Sequence, residues 1–537
     1  MLGEGLRLGV GAEKSGPETV QAGPPNLCQA GSGRSRAGSY TPAPVQVALD
    51  NSPASQSSAG LLCIGIFEGE ELPAWLASAP GAGDVEAGFK KLTMLRPAEQ
   101  DAPERVLVVG LGKREELDSE RLRVVTSFGV RQAQRYGAAV LAWEVPGGGA
   151  SAAAALAGAT VLSSYRFDRL KSKPDPDENG GGPDELLLHG VEDGERDRAA
   201  EILPIATASA HGANRARDLQ SLPANIADPA YLADRAREIA AEHEGVEAEV
   251  LDAETIAELG MGGLASVGAG SPKGPLLIAL RYRPVPDGET LAIVGKGVTF
   301  DTGGISLKPP ASMPEMKMDM SGAAAALEAT ATIAELGFPI NLLCVIPAVE
   351  NMPDGGATRP GDVITQLNGK TVEVNNTDAE GRLILADALT WAAREGADRM
   401  VDLATLTGAV VVALGSTYAG VAGNDDELAE AITAAGAIVG ELAWRLPMHP
   451  EYKELMRGKY ADLTNSSPKR KAGPLTAAAF LEEFVEGKPW AHIDIAGTSW
   501  DVGRAYLGSG PSGYGVRLLV ELARNLAAAS DTAPADG

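Results

Sequence analysis

Short apolar runs and helical patterns alternate along the first half of the chain. Residues 61–67 (LLCIGIF) and 106–109 (VLVV) are uninterrupted apolar runs of strand length, and residues 138–143 form a third. Between the last two runs, residues 118–136 have a helical pattern. A further strand-like run covers residues 186–189. This alternation predicts an α/β domain with a mostly parallel sheet.

The same alternation returns in the second half of the chain. A helical stretch over residues 195–219, which we expect to be interrupted at Pro204, joins the two halves. Strand-like apolar runs then follow at residues 248–251, 276–282, 291–294, 340–345, 372–374 and 400–403. We therefore predict three parts: a disordered leader (1–42), a small N-terminal α/β domain (43–205) and a larger α/β domain with a mixed, mostly parallel sheet (206–537).

The leader is rich in Gly, Ser, Pro and Gln and has no apolar periodicity. Its first 30 residues lack a basic start followed by an apolar run, so they do not resemble a secretory signal. The apolar stretch over residues 323–349 is interrupted by Glu328 and Glu335, which favours a helix followed by a buried strand over a membrane span. We expect a cytoplasmic protein with no membrane partner.

The charge balance changes the range of possible partners. The chain has 72 acidic and 46 basic residues and a formal net charge of -26. Because such a surface repels the phosphate backbone, general nucleic-acid binding is disfavoured. The 3 cysteines have no CxxC spacing, and the 5 histidines are far apart. Any metal site must therefore rely on carboxylates.

Two segments of the second half carry acidic side chains just after a predicted strand. Residues 291–304 (LAIVGKGVTFDTGG) pass through a Gly-Lys-Gly turn to Asp301. Residues 371–383 (TVEVNNTDAEGRL) place Asp378 and Glu380 between a strand and an apolar helix. Ligands of open α/β sheets bind at the carboxyl ends of strands, so both segments are candidates for one site.

These three carboxylates and Asp319 form a candidate cluster of four, with Lys296 and Lys308 close in sequence. Crowded carboxylates stay ionised only when cations neutralise them. Oxygen-rich ligation without histidine suits Mn, Mg or carboxylate-bound Zn, and two such ions can activate one shared water. Each segment alone is also typical of an ordinary turn, and Asp378 is also a candidate helix cap; the two segments together favour a site.

Other motifs lack a residue that their chemistry needs. The Gly-Lys-Thr at residues 369–371 has Ile364 where a P-loop needs glycine, and Phe300 replaces the third glycine of a dinucleotide fingerprint. The segment at residues 510–514 ends in Tyr514 and so misses the nucleophile elbow. His492 lies in an alternating strand pattern, and we expect it to be a core or supporting histidine.

The octapeptide NTDAEGRL at residues 376–383 resembles the signature of the leucyl aminopeptidase (cytosol aminopeptidase) family. Further segments resemble the family in the same order: VGKGVTFDTGG (294–304), ENMPDGGATRPGDVI (350–364), DLATLTGA (402–409) and WAHIDIAGTSW (490–500). The resemblance extends over about residues 45–537. It implies an N-terminal domain similar to macro domains, a larger catalytic domain and a homohexamer.

The resemblance also implies a metal-dependent exopeptidase that releases N-terminal, preferably Leu-like, residues from peptides with a water activated by two divalent ions (Mn or Zn, possibly Mg or Co). Carried over by motif, one ion would be held by Lys296, Asp301, Asp319 and Glu380, and the other by Asp301, Asp378 and Glu380. Lys296 would ligate as a neutral amine. Lys308 would polarise the scissile carbonyl, and Arg382 would hold a bicarbonate that acts as general base.

The remaining implications concern the substrate pocket and the alternatives. The pocket for the first side chain would be lined by Met316, Asn376, Thr405, Leu406 and Gly408. In the segment at residues 217–229 the chain departs from the family, since Ser221 stands where Asn is usual. The alternative from a different class is a DNA-binding architectural or regulatory role on the same scaffold, which the net charge disfavours. A two-metal phosphatase and an ADP-ribose-binding N-terminal module are weaker alternatives.

Overall fold

The computed structural model describes residues 45–97, 102–173, 181–469 and 471–532. The predicted leader over residues 1–42 lies outside these ranges, as do residues 174–180. The described part belongs to one compact unit, which begins at Pro42. The domain boundary near residue 205 therefore stays a prediction.

The N-terminal part is built on a sheet with the strand order β1-β6-β5-β2-β4-β3, in which only the β3–β4 pair is antiparallel among the described residues. Its elements are β1 (Gln46–Asp50), β2 (Leu61–Phe67), β3 (Leu92–Leu95), β4 (Val106–Gly112), α1 (Ser119–Tyr136), β5 (Val140–Glu144), α2 (Ala150–Ser163) and β6 (Glu185–His189). The predicted α/β domain with a mostly parallel sheet is confirmed.

Local chemistry explains where these elements begin and end. Helix α1 starts after Asp118, whose side chain accepts a hydrogen bond from the Arg121 N–H at 2.7 Å. It ends at Gly137, which has a left-handed φ of 64° that glycine adopts without strain. Strand β2 is buried along nearly its whole length, as its unbroken apolar sequence predicts for a central parallel strand.

A long helix, α3 (Arg196–Ser221), follows β6 and passes through Pro204 without a break. The predicted interruption at Pro204 is therefore wrong. Proline removes one backbone donor from the helix. Packing of α3 on α2 and on the next helical layer compensates for that loss.

The C-terminal part contains the remaining elements. They are α4 (Pro229–Glu242), β7 (Val246–Leu251), α5 (Ala253–Leu259), α6 (Gly262–Gly268), β8 (Leu276–Tyr282), β9 (Thr290–Gly295), β10 (Gly297–Asp301), α7 (Ser321–Glu335), β11 (Asn341–Asn351), β12 (Val363–Thr365), β13 (Thr371–Glu373), α8 (Gly381–Arg394), β14 (Arg399–Ala404), α9 (Gly408–Leu414), β15 (Ala419–Gly423), α10 (Asp426–Val439), β16 (Ala443–Arg445), α11 (Pro450–Glu454), β17 (Leu463–Thr464), α12 (Gly473–Leu481), β18 (Trp490–Asp494) and α13 (Val516–Thr532). Among the residues described, no helix is long and apolar enough to cross a bilayer.

The large sheet has the order β16-β15-β18-β14-β9-β11-β8-β7, and β10 pairs with the end of β11. It is mixed but parallel around its centre, where β9 lies between β11 and β14. Both faces are buried. Along β9, Leu291 and Ile293 belong to the core shared with α7 and α13, while Ala292 and Val294 face the core shared with α8. This arrangement explains why β9 is apolar at successive positions.

Strand β13 corresponds to the predicted run at residues 372–374, but it is not part of the large sheet. It pairs with β12 and β17 in a separate small sheet. The carboxylates that follow β13 therefore do not extend from a central strand. They reach the site because the loop after β13 leads into the start of α8.

Candidate active site

A break between β9 and β10 brings Lys296 to the centre of the site. Strand β9 pairs with β11 up to Val345, and β10 resumes pairing with the same strand at Ala348. At the break, the Lys296 N–H donates to the Leu403 carbonyl on β14, and the Lys296 carbonyl accepts from Ala323 N–H on α7, both at 3.0 Å. The backbone of Lys296 is thus held by the two elements that flank it.

The Lys296 ammonium is buried among acceptors. Its Nζ lies 2.9 Å from Asp319 Oδ2 and 2.7 Å from Glu380 Oε1, and it donates to the Thr405 carbonyl at 2.8 Å. Burial acts to lower the pKa of Lys296, but the carboxylates of Asp319 and Glu380 outweigh it and raise the pKa above its ordinary value. Without another cation, this lysine is the counter-ion of two carboxylates.

Lys308 makes the second such pairing. Its Nζ lies 2.7 Å from Asp301 Oδ2 and 2.5 Å from Asp378 Oδ1. Burial opposes the charged form, and Asp301 is the largest of the charges that raise the Lys308 pKa in spite of it. The Lys308 side chain is 21% exposed, whereas that of Lys296 is 3% exposed, so Lys308 is the lysine that a bound molecule can reach.

The four predicted carboxylates do form one cluster. Single carboxylate oxygens of Asp301, Asp378 and Glu380 lie within 4.8 Å of one another, and Asp319 joins them through Lys296. Burial and the neighbouring carboxylates raise the pKa values of Asp319 and Glu380. Glu380 Oε2 is buried without a hydrogen-bond partner among the described residues. Such an atom and such crowding are what a divalent cation would satisfy, so the residues fit a metal site.

Asn351, the last residue of β11, connects the two acidic segments. Its side-chain amide donates to Asp301 Oδ1 at 2.8 Å and to the Thr377 carbonyl at 3.0 Å. The Thr377 hydroxyl donates to the Gly303 carbonyl at 2.6 Å and accepts from Ser306 N–H. These bonds fix the loop after β10 against the loop that carries Asp378.

Asn465 supports the same loop from the other side. This fully buried side chain accepts from the N–H groups of Asn375 and Asn376, and its amide donates to the carbonyls of Asn376 at 2.6 Å and Ala379 at 3.3 Å. The backbone on both sides of Asp378 is therefore fixed to a residue that follows β17.

Arg382 lies in the first turn of α8 and is buried. Burial lowers the Arg382 pKa to about 10, although Glu380 and Asp494 oppose that shift. Its Nε has no hydrogen-bond partner among the described residues. A buried guanidinium with a free donor fits a small anion such as bicarbonate.

The residues predicted to line a substrate pocket come from three segments. These are the segment from the end of β14 into α9 (Thr405, Leu406 and Gly408), the loop after β13 (Asn376) and the 3-10 helix before α7 (Met316). Thr405 donates from its hydroxyl to Asp319 Oδ1 at 2.6 Å, and Asn376 accepts from Asp378 N–H at 3.1 Å through its side-chain oxygen. Met316 lies in the 3-10 helix that leads to Asp319, and Gly408 is the first residue of α9.

Leu406 closes the site at the start of α8. A Cβ at Gly381 would lie 2.8 Å from Lys296 Cε and 3.0 Å from Leu406 Cδ1. Only glycine therefore lets α8 begin this close to both side chains.

His492 is buried on β18, with Nδ1 2.6 Å from Asp402 Oδ1 on β14. Burial favours the neutral ring, but Asp402 raises the His492 pKa overall. The other oxygen of Asp402 accepts from Trp490 Nε1 at 2.7 Å. This contact agrees with the expectation of a core or supporting histidine.

Sequence reasoning singled out neither Asn351 nor Asn465. Asn351 stands within the segment at residues 350–364 that carries part of the resemblance, so a signal for it existed. Asn465 stands in a polar stretch (LTNSSPK) with no distinguishing pattern, and only its contacts reveal it.

A mixed sheet with a buried cluster of carboxylates and lysines at its edge is an arrangement that suits a metal-dependent hydrolase. Two family models match this chain: "Cytosol aminopeptidase family, catalytic domain" over residues 214–520 and the N-terminal domain of the same family over residues 54–174. The chain belongs to the cytosol aminopeptidase family and is an aminopeptidase.

Individual relatives agree with this assignment. The chain is 43% identical over 475 residues to a probable cytosol aminopeptidase of Roseiflexus castenholzii, covering 87% of this chain and 96% of the relative. It is 46% identical over 427 residues to one of Syntrophotalea carbinolica, covering 78% and 85% of the two chains. The DNA-binding alternative gains no support from these matches.

Solved structures show the same fold. The bottromycin maturation enzyme BotP in complex with Mn has a TM-score of 0.77 and 35% identity, covering 88% of this chain and all of that one. A tomato leucine aminopeptidase mutant has a TM-score of 0.79 and 32% identity, covering 90% and 97%. The predicted fold class is confirmed, and a divalent metal fits the carboxylate cluster.

Proposed function

We propose that this metallo-aminopeptidase releases N-terminal residues, Leu-like ones by preference, from peptides with the help of two divalent metal ions. The observation that carries the proposal is the pairing of two lysines with four carboxylates in one buried cluster. Such a cluster has more acidic groups than its own amines neutralise, so it provides ligands for cations.

The two ions would share residues of the cluster. Lys296, Asp301, Asp319 and Glu380 would hold one ion, and Asp301, Asp378 and Glu380 would hold the other. The Mn named in the BotP structure supports manganese, and zinc is the other candidate. When bound, the ions would supply Lewis acidity and lower the pKa of a water molecule.

The chain's own residues would do the rest. Lys308 would donate to the oxygen of the scissile carbonyl and stabilise the negative charge that develops there. Its partial exposure supports this role. Arg382 would hold a bicarbonate that accepts a proton from the attacking water, and its unpartnered Nε supports an anion at this position.

The first side chain of the substrate would contact Met316, Asn376, Thr405, Leu406 and Gly408. Thr405 and Asn376 are occupied by bonds within the site, which leaves Met316 and Leu406 to provide the apolar contact. A pocket with two flexible apolar residues favours Leu-like side chains.

We also propose that the chain assembles as a homohexamer in the cytoplasm. The exposed apolar side chains of helix α9 support this assembly, because Val411 and Val412 are 40% and 91% exposed and would be buried against another subunit. The name of the relatives, cytosol aminopeptidase, supports the location.

Hydrolysis of leucine p-nitroanilide tests the proposal. The purified protein would be assayed as isolated, after chelation, and after addition of Mn or Zn. Activity lost on chelation and restored by metal is expected, with two ions per subunit by elemental analysis. Activity that survives complete removal of metal would contradict the proposal. A further comparison of Leu, Lys and Asp p-nitroanilides tests the apolar preference.

A further inference from the structure

A cavity of about 540 Å³ lies where α1, the end of α2 and the end of α3 meet the loop before α13. It is separate from the carboxylate cluster. Its charged lining residues are four arginines, Arg131, Arg135, Arg166 and Arg217, and no acidic residue of the described chain lines it. In a protein with a net charge of -26, such a lining is the opposite of the average surface.

Arg217 forms the buried end of this cavity. Its guanidinium donates to the carbonyls of Leu162, Leu507 and Pro511 at 2.5 to 3.1 Å. It also stacks on the Tyr165 ring, 3.7 Å from the ring centroid. Burial lowers the Arg217 pKa to about 10. Among the ion pairs of the described residues, none within 4 Å involves Arg217. The carboxylate of Asp218 acts on the Arg217 charge from beyond that distance.

Arg131 and Arg135 stand one helical turn apart on the exposed side of α1. The Arg131 guanidinium donates to Ser127 Oγ at 3.3 Å and lies 4.7 Å from the centroid of the Phe128 ring. Neither arginine takes part in an ion pair within the described part of the chain. Two acidic groups lie nearby: Asp168 is 2.8 Å from Arg166 and pairs with that arginine of the cavity, and Asp218 bonds Tyr165.

A second cavity on the same helices behaves differently. It measures about 330 Å³ and is lined by Arg123, Arg198, Arg517 and Arg524 together with Glu521. Arg123, Arg517 and Arg524 each lie within 3.3 Å of a glutamate oxygen. The second cavity thus has a lining carboxylate and three paired arginines, whereas the first has no lining carboxylate among the described residues.

We propose that the arginine-lined cavity binds a small phosphorylated metabolite through its phosphate monoester group. Guanidinium groups provide planar, paired donors that match phosphate oxygens. The hydroxyls of Ser163 and Ser164 line the same cavity but already donate to the carbonyls of Tyr506 and Thr160. The donors to the phosphate are therefore the guanidinium groups of Arg131 and Arg135. Tyr165 and Phe167 offer an apolar wall to the rest of the molecule. The volume is that of a small-molecule site. This site is additional to peptide hydrolysis and does not depend on the proposed mechanism.

The test compares two charge-matched variants of the full chain. R131Q/R135Q removes two arginines of the cavity, and R237Q/R359Q removes two exposed arginines elsewhere. Inorganic phosphate and glucose 6-phosphate would be titrated into each protein by calorimetry at low ionic strength. The rate of leucine p-nitroanilide hydrolysis should be equal in the wild type and in both variants, which verifies that the variants fold.

We expect at least a tenfold loss of affinity for both phosphates in R131Q/R135Q and less than a twofold change in R237Q/R359Q. Equal loss in both variants would show a general charge effect and overturn the proposal. Phosphate binding that persists in R131Q/R135Q would belong to another site, such as the metal centre, and would also overturn it. If only a 20-base-pair DNA duplex bound with this dependence and neither phosphate did, the cavity would be a nucleic-acid contact and the proposal would be wrong.

Discussion

Asn351 donates its side-chain amide to Asp301 Oδ1 at 2.8 Å, and this bond leaves Asp301 Oδ2 turned toward the Lys308 amine at 2.7 Å. The Gly303 N–H donates to the same Oδ1 at 2.8 Å, so these two neutral donors together fix which oxygen of Asp301 faces the site. The same Asn351 amide bonds the Thr377 carbonyl, so the orientation of Asp301 is linked to the position of the loop that carries Asp378.

Replacing Asn351 by alanine should weaken metal binding. Mutation of a residue that hydrogen-bonds to a metal ligand and orients it typically lowers metal affinity or activity by roughly 10- to 100-fold. We expect a loss in that range for N351A, measured by competition for zinc with a chromophoric chelator. N424A is the matched control, because Asn424 also bonds backbone but lies far along the chain beside Trp490. Unchanged zinc affinity in N351A would contradict the role of this bond.

Replacing Lys308 should separate metal binding from catalysis. If Lys308 stabilises charge on the substrate carbonyl, K308A should lower kcat by about 100-fold, the usual effect of losing one such donor. Metal content, measured by elemental analysis, should change little, and K308R should recover part of the rate. Parallel loss of metal and activity would instead assign Lys308 to the ligand set.

Adding one methyl group at Gly381 should disturb the site from within. A Cβ there would approach Lys296 Nζ to 2.9 Å and the Leu406 side chain to 3.0 Å. Overpacking of this kind costs about 1–3 kcal/mol and would displace the Lys296 amine. We expect G381A to lose activity and to melt at a lower temperature. G355A is the control, because no atom lies within 4 Å of its added Cβ; equal behaviour of the two variants would refute the prediction.

Asp387 should make stability depend on pH. This carboxylate on α8 accepts from the Leu264 and Leu367 N–H groups, yet burial raises its pKa to about 7. Because the folded pKa lies above the unfolded value of 3.8, the stabilising contribution is full below about pH 4 and is lost as the pH rises to 7.

The comparison of wild type with D387N isolates this effect. Between pH 4 and pH 7 the wild type should lose stability relative to D387N by at most about 4 kcal/mol, since each pKa unit corresponds to about 1.4 kcal/mol. Thermal unfolding at several pH values measures the difference. A difference between the two proteins that stays constant with pH would contradict the raised pKa.

The sequence predicted most central strands because their apolar runs admit few other structures. Residues 61–67 and 276–282 are strands with the predicted bounds, and the helical stretch at residues 118–136 differs from α1 by one residue. Sequence reasoning did not find α2, whose Ala-rich sequence is buried on most sides and so lacks the polar face of an amphipathic helix. The predicted interruption at Pro204 was wrong because local helix propensity does not include the packing that keeps α3 continuous.

The candidate active site, like the fold, was predictable from the sequence only in part. The sequence by itself determined the residue types: four carboxylates and two lysines in short motifs, and a glycine where α8 begins. Only the tertiary structure decided that Lys296 pairs with Asp319 and Glu380, while Lys308 pairs with Asp301 and Asp378. The reason is that these groups come from segments up to 84 residues apart (296 to 380) that meet only when β9, β11 and β14 lie side by side and α8 begins at their edge. Charge and spacing are properties of the chain, whereas the distance between two charges is a property of the fold.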